Sequence, residues 1–205
     1  MLPVEALRSM RVMFATPCYI SAVSMNYVAS IFNLTCEAMR LGLSCILHLH
    51  SESLIPRGRN KIVRKFLAEE FTHLFWIDAD IAFEAQSAIR LLLADRDVVA
   101  GIYPMKTTNW PAAGLPAGMT SEQFDVQYTD YPFNPVGHGA SRVSAYADPE
   151  GFIEVAEAPT GFMAIKRHVF TQLMQRYPEL NYTPDGPPNN PTAPSLALFR
   201  LHGRS

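Results

Sequence analysis

The chain is poor in the features that would assign it quickly. It holds only three cysteines, Cys18, Cys36 and Cys45, in 205 residues. Their number is odd and their spacing is not that of a zinc site, so buried reduced thiols are the expectation. No apolar run reaches membrane-spanning length, and no integral membrane segment is expected. The first residues lack the basic segment, apolar core and small-residue cleavage site of a signal peptide, which points to a cytoplasmic protein. Charge of one sign is also missing. Lysine and arginine (17) nearly balance aspartate and glutamate (19), leaving −2, so no basic field argues for nucleic acid. With 48% hydrophobic and 18% charged residues, disorder is excluded and a single globular domain expected.

The most informative stretch that is present is Phe75-Trp76-Ile77-Asp78-Ala79-Asp80. An apolar run ends in two carboxylates one residue apart. Hard cations such as Mg²⁺ and Mn²⁺ prefer oxygen ligands and take one or two carboxylates plus phosphate oxygens. Asp95-Arg96-Asp97 has the same spacing but precedes the apolar run from Val98, which places it at the amino end of a strand. In open α/β sheets, ligands bind outside the carboxyl ends. Asp78 and Asp80 are therefore the metal candidates and the second pair a solvated turn. The bland alternative for the first pair is a strand-end turn whose carboxylates cap the following helix.

Strands are expected over 11–20, 44–50, 73–81 and 98–104, and helices over 26–41, 59–70, 86–93 and 168–176. Alternation of this kind implies parallel βαβ units. After Met105 the composition turns irregular, with a short strand-like piece at 124–128 and a hairpin or returning strand over 153–165. The expected organisation is one domain over 1–182, divided at 105/106, followed by a Pro-rich extended tail over 183–205.

Four ordered features resemble the GT-A nucleotide-sugar glycosyltransferases, over about residues 11 to 176. They are a first strand ending in Thr16-Pro17, the run Arg57-Gly58-Arg59-Asn60 before a helix, the Asp78-Ala79-Asp80 motif, and Ala158-Pro159-Thr160-Gly161-Phe162 leading into Met163–Arg167. The resemblance implies a Rossmann-like GT-A fold, with a mostly parallel central sheet, flanking helices and a smaller, irregular acceptor-side half over 106–182. It implies a metal-dependent transferase, inverting, that moves a sugar from a UDP- or GDP-linked donor to an unknown carbohydrate, lipid or protein acceptor. Asp80 would coordinate Mn²⁺ or Mg²⁺ directly. Asp78 would act through water or on the ribose, and Ala79 would let the ligand approach the backbone. Thr16 and Pro17 would touch the nucleotide, Arg57 and Arg59 the phosphates, and Asn60 the base or ribose. Thr160, Gly161 and Phe162 would line the acceptor side.

Plainer readings stand beside these. Arg57 and Arg59 also suit a solvated helix entrance, Asn60 a helix cap, and Phe162 the core. His48 and His50 face one side of a strand, where a structural role outweighs a metal site. Trp110, Tyr131 and Phe133 suit either sugar stacking or packing. The family carries a later acidic pair that activates the acceptor. This sequence runs to Ser205 without one, and the late acids Asp185, Glu154 and Glu157 are surface candidates, so no catalytic residue is assigned. A degenerate, non-catalytic domain that binds nucleotide-sugar or serves as an interaction module is therefore the alternative, with self-association expected if apolar surface is uncovered. A phosphohydrolase with Asp78 as nucleophile ranks third, because those enzymes carry the motif on their first strand.

Overall fold

The structure, a computed structural model, describes residues 1–132, 134–135, 146–180 and 197–199. After a 3₁₀ turn over Val4–Ser9, strand β1 (Arg11–Cys18) is buried on both faces from Val12 onward, as its unbroken apolar run requires. It continues through Thr16-Pro17 instead of ending there. Its pairing with the next-but-one strand stops at Ala15, so the missing N–H of Pro17 leaves no gap on that flank. Helix α1 (Met25–Leu41) begins at Ser24, whose hydroxyl accepts from the Tyr27 N–H at 3.1 Å. It ends at Gly42, which takes φ 72° and donates back to Ala38 and Met39; that left-handed geometry suits glycine.

Strand β2 (Ser44–Ser51) leads to helix α2 (Ile55–Ala68), which starts four residues earlier than expected. Pro56 in its first turn is the reason, because proline's fixed φ and absent N–H fit the start of a helix. Arg57 to Asn60 consequently lie inside the helix, not before it. Strand β3 (His73–Ile77) stops one residue before Asp78. Helix α3 (Ala85–Leu93) and a short β4 (Val98–Ala100) follow.

Residues Gly101–Pro159 form a separate compact unit. Within it the segment expected as a strand is helix α4 (Ser121–Tyr128). Thr120 and Gln123 form a reciprocal capping box there, and such a box commits the following turn to helix. The Phe124 ring lies tilted against those of Trp110 and Tyr128, at 5.0 and 5.4 Å. Strands β5 (Asn134–Pro135) and β6 (Val155–Glu157) pair antiparallel. Among its described residues no apolar side chain is buried.

The chain then returns to the first unit, Met1–Ala100 with the described residues from Thr160 onward. The division thus falls near 100 and 160 instead of at a single point, 105/106. Strand β7 (Phe162–Lys166) is the returning strand, and helix α5 (Arg167–Arg176) follows it directly. The five-stranded sheet has the order β2-β1-β3-β7-β4. β1 runs parallel to β2 and β3, and β7 is antiparallel to β3 and β4. The architecture is α/β, a mostly parallel central sheet flanked by helices, as expected. α5 is pinned to the end of α2 by Arg167, whose guanidinium donates to the carbonyls of Phe66, Leu67, Glu69 and Phe71 at 2.6 to 3.2 Å. It thereby satisfies the carbonyls that a helix leaves open at its C-terminus.

Cys18 is buried and Cys45 half-buried, but Cys36 is exposed. Apolar neighbours misled here, because α1 also carries Met25, Val28, Phe32 and Met39 on its outer face. Phe133, Asp185, the 183–194 segment and the chain after Phe199 lie outside the described residues. Within the expected extended tail, Ala197–Phe199 are seated against α2. Among the described residues no helix is long and apolar enough to cross a membrane.

The pH dependence of folding follows from His73. Burial, with Lys166 nearby, pushes its imidazole down from 6.5 to about 4. An unfolded chain takes up this proton near the ordinary value, while the folded one refuses it until about 4. Acid therefore favours unfolding across that window. His48 and His50 are lowered by burial too, and add in the same direction. The urea midpoint should fall between about pH 7 and about pH 4.5, and His73→Gln should flatten part of that decline. An equal slope in the variant would contradict it.

Candidate functional site

The chain leaves β1 for β2 on one side and returns to β3 on the other, which makes the gap between the carboxyl ends of β1 and β3 a topological switch point. Open α/β sheets bind ligands in such crevices. A cavity of about 380 Å³ occupies it. Pro17 lines it from the end of β1, Tyr19, Ala22, Val23 and Ser24 from the β1–α1 connection, Ile55 and Arg59 from α2, and Asp78, Ala79 and Asp80 from the turn after β3. Backbone bonds fix that turn. The Asp78 N–H donates to the Gly161 carbonyl at 2.8 Å, and the Ser24 N–H donates to the Ala79 carbonyl at 2.8 Å.

Arg59 is the group around which the cleft is organised. It is 5% exposed, its Nη2 donates to Asp78 Oδ1 at 2.8 Å, and its guanidinium lies over the Trp76 ring at 5.2 Å and the Phe199 ring at 5.4 Å. Nε and Nη1 of Arg59 have no hydrogen-bond partner among the described residues. Asp80 is exposed at the mouth of the cavity.

Of the residues expected to meet a nucleotide, Pro17, Arg59, Asp78 and Ala79 converge here with Asp80, whereas Thr16, Arg57 and Asn60 do not line the cavity. Thr16 is fully buried, with its hydroxyl 2.6 Å from that of Tyr27; burial pushes the Tyr27 phenol up to about 12. Arg57 and Asn60 are turned away because successive helical residues rotate by about 100°. Arg57 pairs with Glu52, which Lys61 also contacts. Their hydrogen bonds hold the Glu52 carboxyl down to about 2. Asn60 does not cap the helix; its amide bonds both the N–H and the carbonyl of Phe199, at 3.1 and 3.0 Å. Gly58 serves packing, since a Cβ there would stand 3.1 Å from the Cβ of Glu52.

Of the three residues expected on an acceptor side, Thr160 lines a neighbouring cavity of about 560 Å³. Gly161 supplies the carbonyl that holds Asp78. Phe162 is buried, its ring 5.0 Å from those of both Phe75 and Phe83, so the core reading of this residue describes its surroundings. His48 and His50 stack at 6.0 Å. Among the described residues no three His, Cys, Asp or Glu side chains gather as a metal cluster. Another cavity of about 380 Å³ is lined by Asn33, Cys36 and Glu37 of α1 and by residues at the start of α3, and its Glu37 accepts from Arg40.

Sequence reasoning missed Tyr19, Val23, Ser24, Ile55, Trp76 and Phe199. Ser24 carries a local signal, a helix cap, and Ile55 precedes the helix-starting Pro56. Ile20 and Ser21 adopt φ of 49° and 58°, a strained conformation for a β-branched side chain, and a hydroxyl bond from Ser21 to Ser51 at 2.8 Å ties the loop to β2. Phe199 meets Arg59 from far along the chain, and no local pattern announces that.

No family model matches the chain, and no curated protein matches it significantly. Among solved structures, the crystal structure of A197 from STIV is similar at 16% identity and a TM-score of 0.45, over 80% of this chain and 68% of that one. A likeness this remote carries no argument about chemistry.

The two carboxylates should behave differently on mutation. Asp78→Ala strands the buried Arg59 charge, and such losses typically cost about 3–5 kcal/mol. Because the Asp78 side chain is 34% exposed, about 2–3 kcal/mol is expected. Asp80→Ala at the surface should stay within about 0.5 kcal/mol of wild type. Equal destabilisation in urea titrations would contradict this division.

Proposed function

We propose that the chain is a metal-dependent glycosyltransferase that binds a UDP- or GDP-linked sugar in the cleft between β1 and β3. The observation that carries this reading is the convergence of Asp78, Ala79, Asp80 and the buried Arg59 on one cavity at the switch point. The donor set fits a hard cation: two carboxylates on one turn, no sulfur, and room for phosphate oxygens to complete the shell. Asp80 would hold Mg²⁺ or Mn²⁺ directly, and Asp78, with Oδ1 engaged by Arg59, would act through water or on the ribose. When bound there, the cation neutralises charge building on the departing diphosphate.

The chain's own groups supply the rest. The start of α1, at Ser24, borders the cavity, and the positive end of a helix dipole suits a diphosphate. Ala79 leaves space for close approach. Arg59 adds a fixed cation that Asp78 and two ring faces hold in place. In the transfer, the bond from the anomeric carbon to the diphosphate oxygen breaks as the acceptor hydroxyl oxygen bonds that carbon. The hydroxyl proton needs a base. Glu154 and Glu157 are exposed, and Glu157 accepts the Asn134 amide, which favours neither as that base. This supports, as a second reading, nucleotide-sugar binding without transfer. The ion pair on Asp78 weighs against its use as a phosphohydrolase nucleophile.

Titration calorimetry with UDP, GDP and their sugars, with and without Mn²⁺, tests the proposal. Wild type should bind one nucleotide only with metal, and Asp80→Ala should weaken that by at least about tenfold, or about 1.4 kcal/mol. No nucleotide binding under any condition would refute it.

A further inference from the structure

Helix α1 has two apolar faces, and the buried core uses only one of them. Tyr27, Ile31, Leu34 and Ala38 turn inward and are buried. On the opposite side Met25, Val28, Phe32 and Met39 are between 52% and 85% exposed. Ala29 and Cys36 beside them are exposed as well. At about 100° per residue these six fall within one arc about 100° wide. That is the width of the stripe by which a surface helix ordinarily meets a core. A stripe of this size turned outward marks an interaction site.

The chemistry of the stripe selects its partner. The only charged residues of α1, Glu37 and Arg40, bond to each other at 2.6 and 2.8 Å, so no charge opposes a second apolar stripe. Membrane surfaces favour helices with Lys and Arg along the polar face, and α1 has a single Arg. The stretches 136–145, 181–196 and 200–205 place no two large apolar residues in succession, so they offer no matching stripe. The stripe is also symmetric about Phe32. Met25 and Met39 lie seven residues to either side, with Ala29 and Cys36 on one flank and Val28 and Thr35 on the other. A twofold axis at Phe32, perpendicular to the helix, pairs two antiparallel copies with like flanks adjoining. Phe32 then meets the partner's Phe32, Met25 the partner's Met39, and Ala29 the partner's Cys36. An isologous dimer requires this self-complementarity, and opposed helix dipoles add to it.

We infer that the outer face of α1 is a homodimer interface, in which two copies of the chain pair their helices antiparallel about Phe32. This does not rest on the chemistry assigned to the cleft. The four large side chains expose on the order of 500 Å² per copy, so the pair buries on the order of 1,000 Å², the low end of specific interfaces. Such an area gives a dissociation constant on the order of micromolar, and monomer and dimer exchange with concentration.

Sedimentation velocity of the full chain across the micromolar range tests this. Wild type should pass from monomer to dimer and form nothing larger. Phe32→Glu, at an exposed position, should keep the circular dichroism of the fold and weaken dimerisation at least about tenfold. A second variant reads the register. Ala29→Cys under mild oxidation should form a disulfide with Cys36, identified by mass spectrometry of non-reduced peptides, and adding Cys36→Ser should remove it. Within one chain these residues stand about 10 Å apart along the helix, beyond the roughly 7 Å that a disulfide spans, so the bond joins two copies. A monomer at every concentration, assembly beyond the dimer, or unchanged dimerisation in folded Phe32→Glu overturns the inference. So do cross-links that join position 29 to itself and not to Cys36. A monomer that binds phosphatidylcholine vesicles, and loses them in Phe32→Glu, assigns the face to lipid and overturns it as well.

Discussion

The buried pair between Arg59 and Asp78 is the constraint on which the rest of the site depends. A guanidinium nine-tenths buried is stable only with a counter-charge and polarisable neighbours. Asp78 provides the first, and the faces of Trp76 and Phe199 the second. The pair fixes which way α2 presents its residues, so Arg57 and Asn60 must point elsewhere. It also fixes the turn after β3, because Asp78 is tied by its side chain to α2 and by its N–H to Gly161 at the start of β7. Helix α2 and strands β3 and β7 are thereby locked together beside the cavity.

β7 has an unusual part in this. It comes from far along the chain and inserts antiparallel between β3 and β4. That insertion brings Gly161 to the carboxyl end of β3, where its carbonyl holds the turn. The returning segment therefore shapes the site through its backbone, and Phe162 contributes core packing between Phe75 and Phe83. Stability and site geometry meet at the same few residues, which is why Asp78 and Asp80, two positions apart, differ so much in what surrounds them.

The sheet and the placement of the carboxylates were legible in the sequence because both rest on local physics. Unbroken apolar runs mark buried parallel strands, and Asp78 follows one directly while Asp95 precedes another. The start of α2 is also written locally, in Pro56, which places Arg57-Gly58-Arg59-Asn60 inside the helix instead of before it. The capping box at Thr120 was a second unread local signal. The partners of Arg59 were not readable at all, since Trp76 is an ordinary core aromatic by sequence and Phe199 sits 139 residues beyond Asn60. Long-range seats of this kind depend on where the fold delivers the chain.

The most direct measurement of whether the Asp78–Asp80 turn holds a cation for a diphosphate is paramagnetic broadening by Mn²⁺ in amide spectra of the isotope-labelled chain. With UDP or GDP present, signals from residues 78–80 and from Ser24, whose N–H contacts Ala79, should broaden first, and Asp80→Ala should abolish the effect. Broadening centred on His48 and His50, or none at the turn with any nucleotide, would contradict the site.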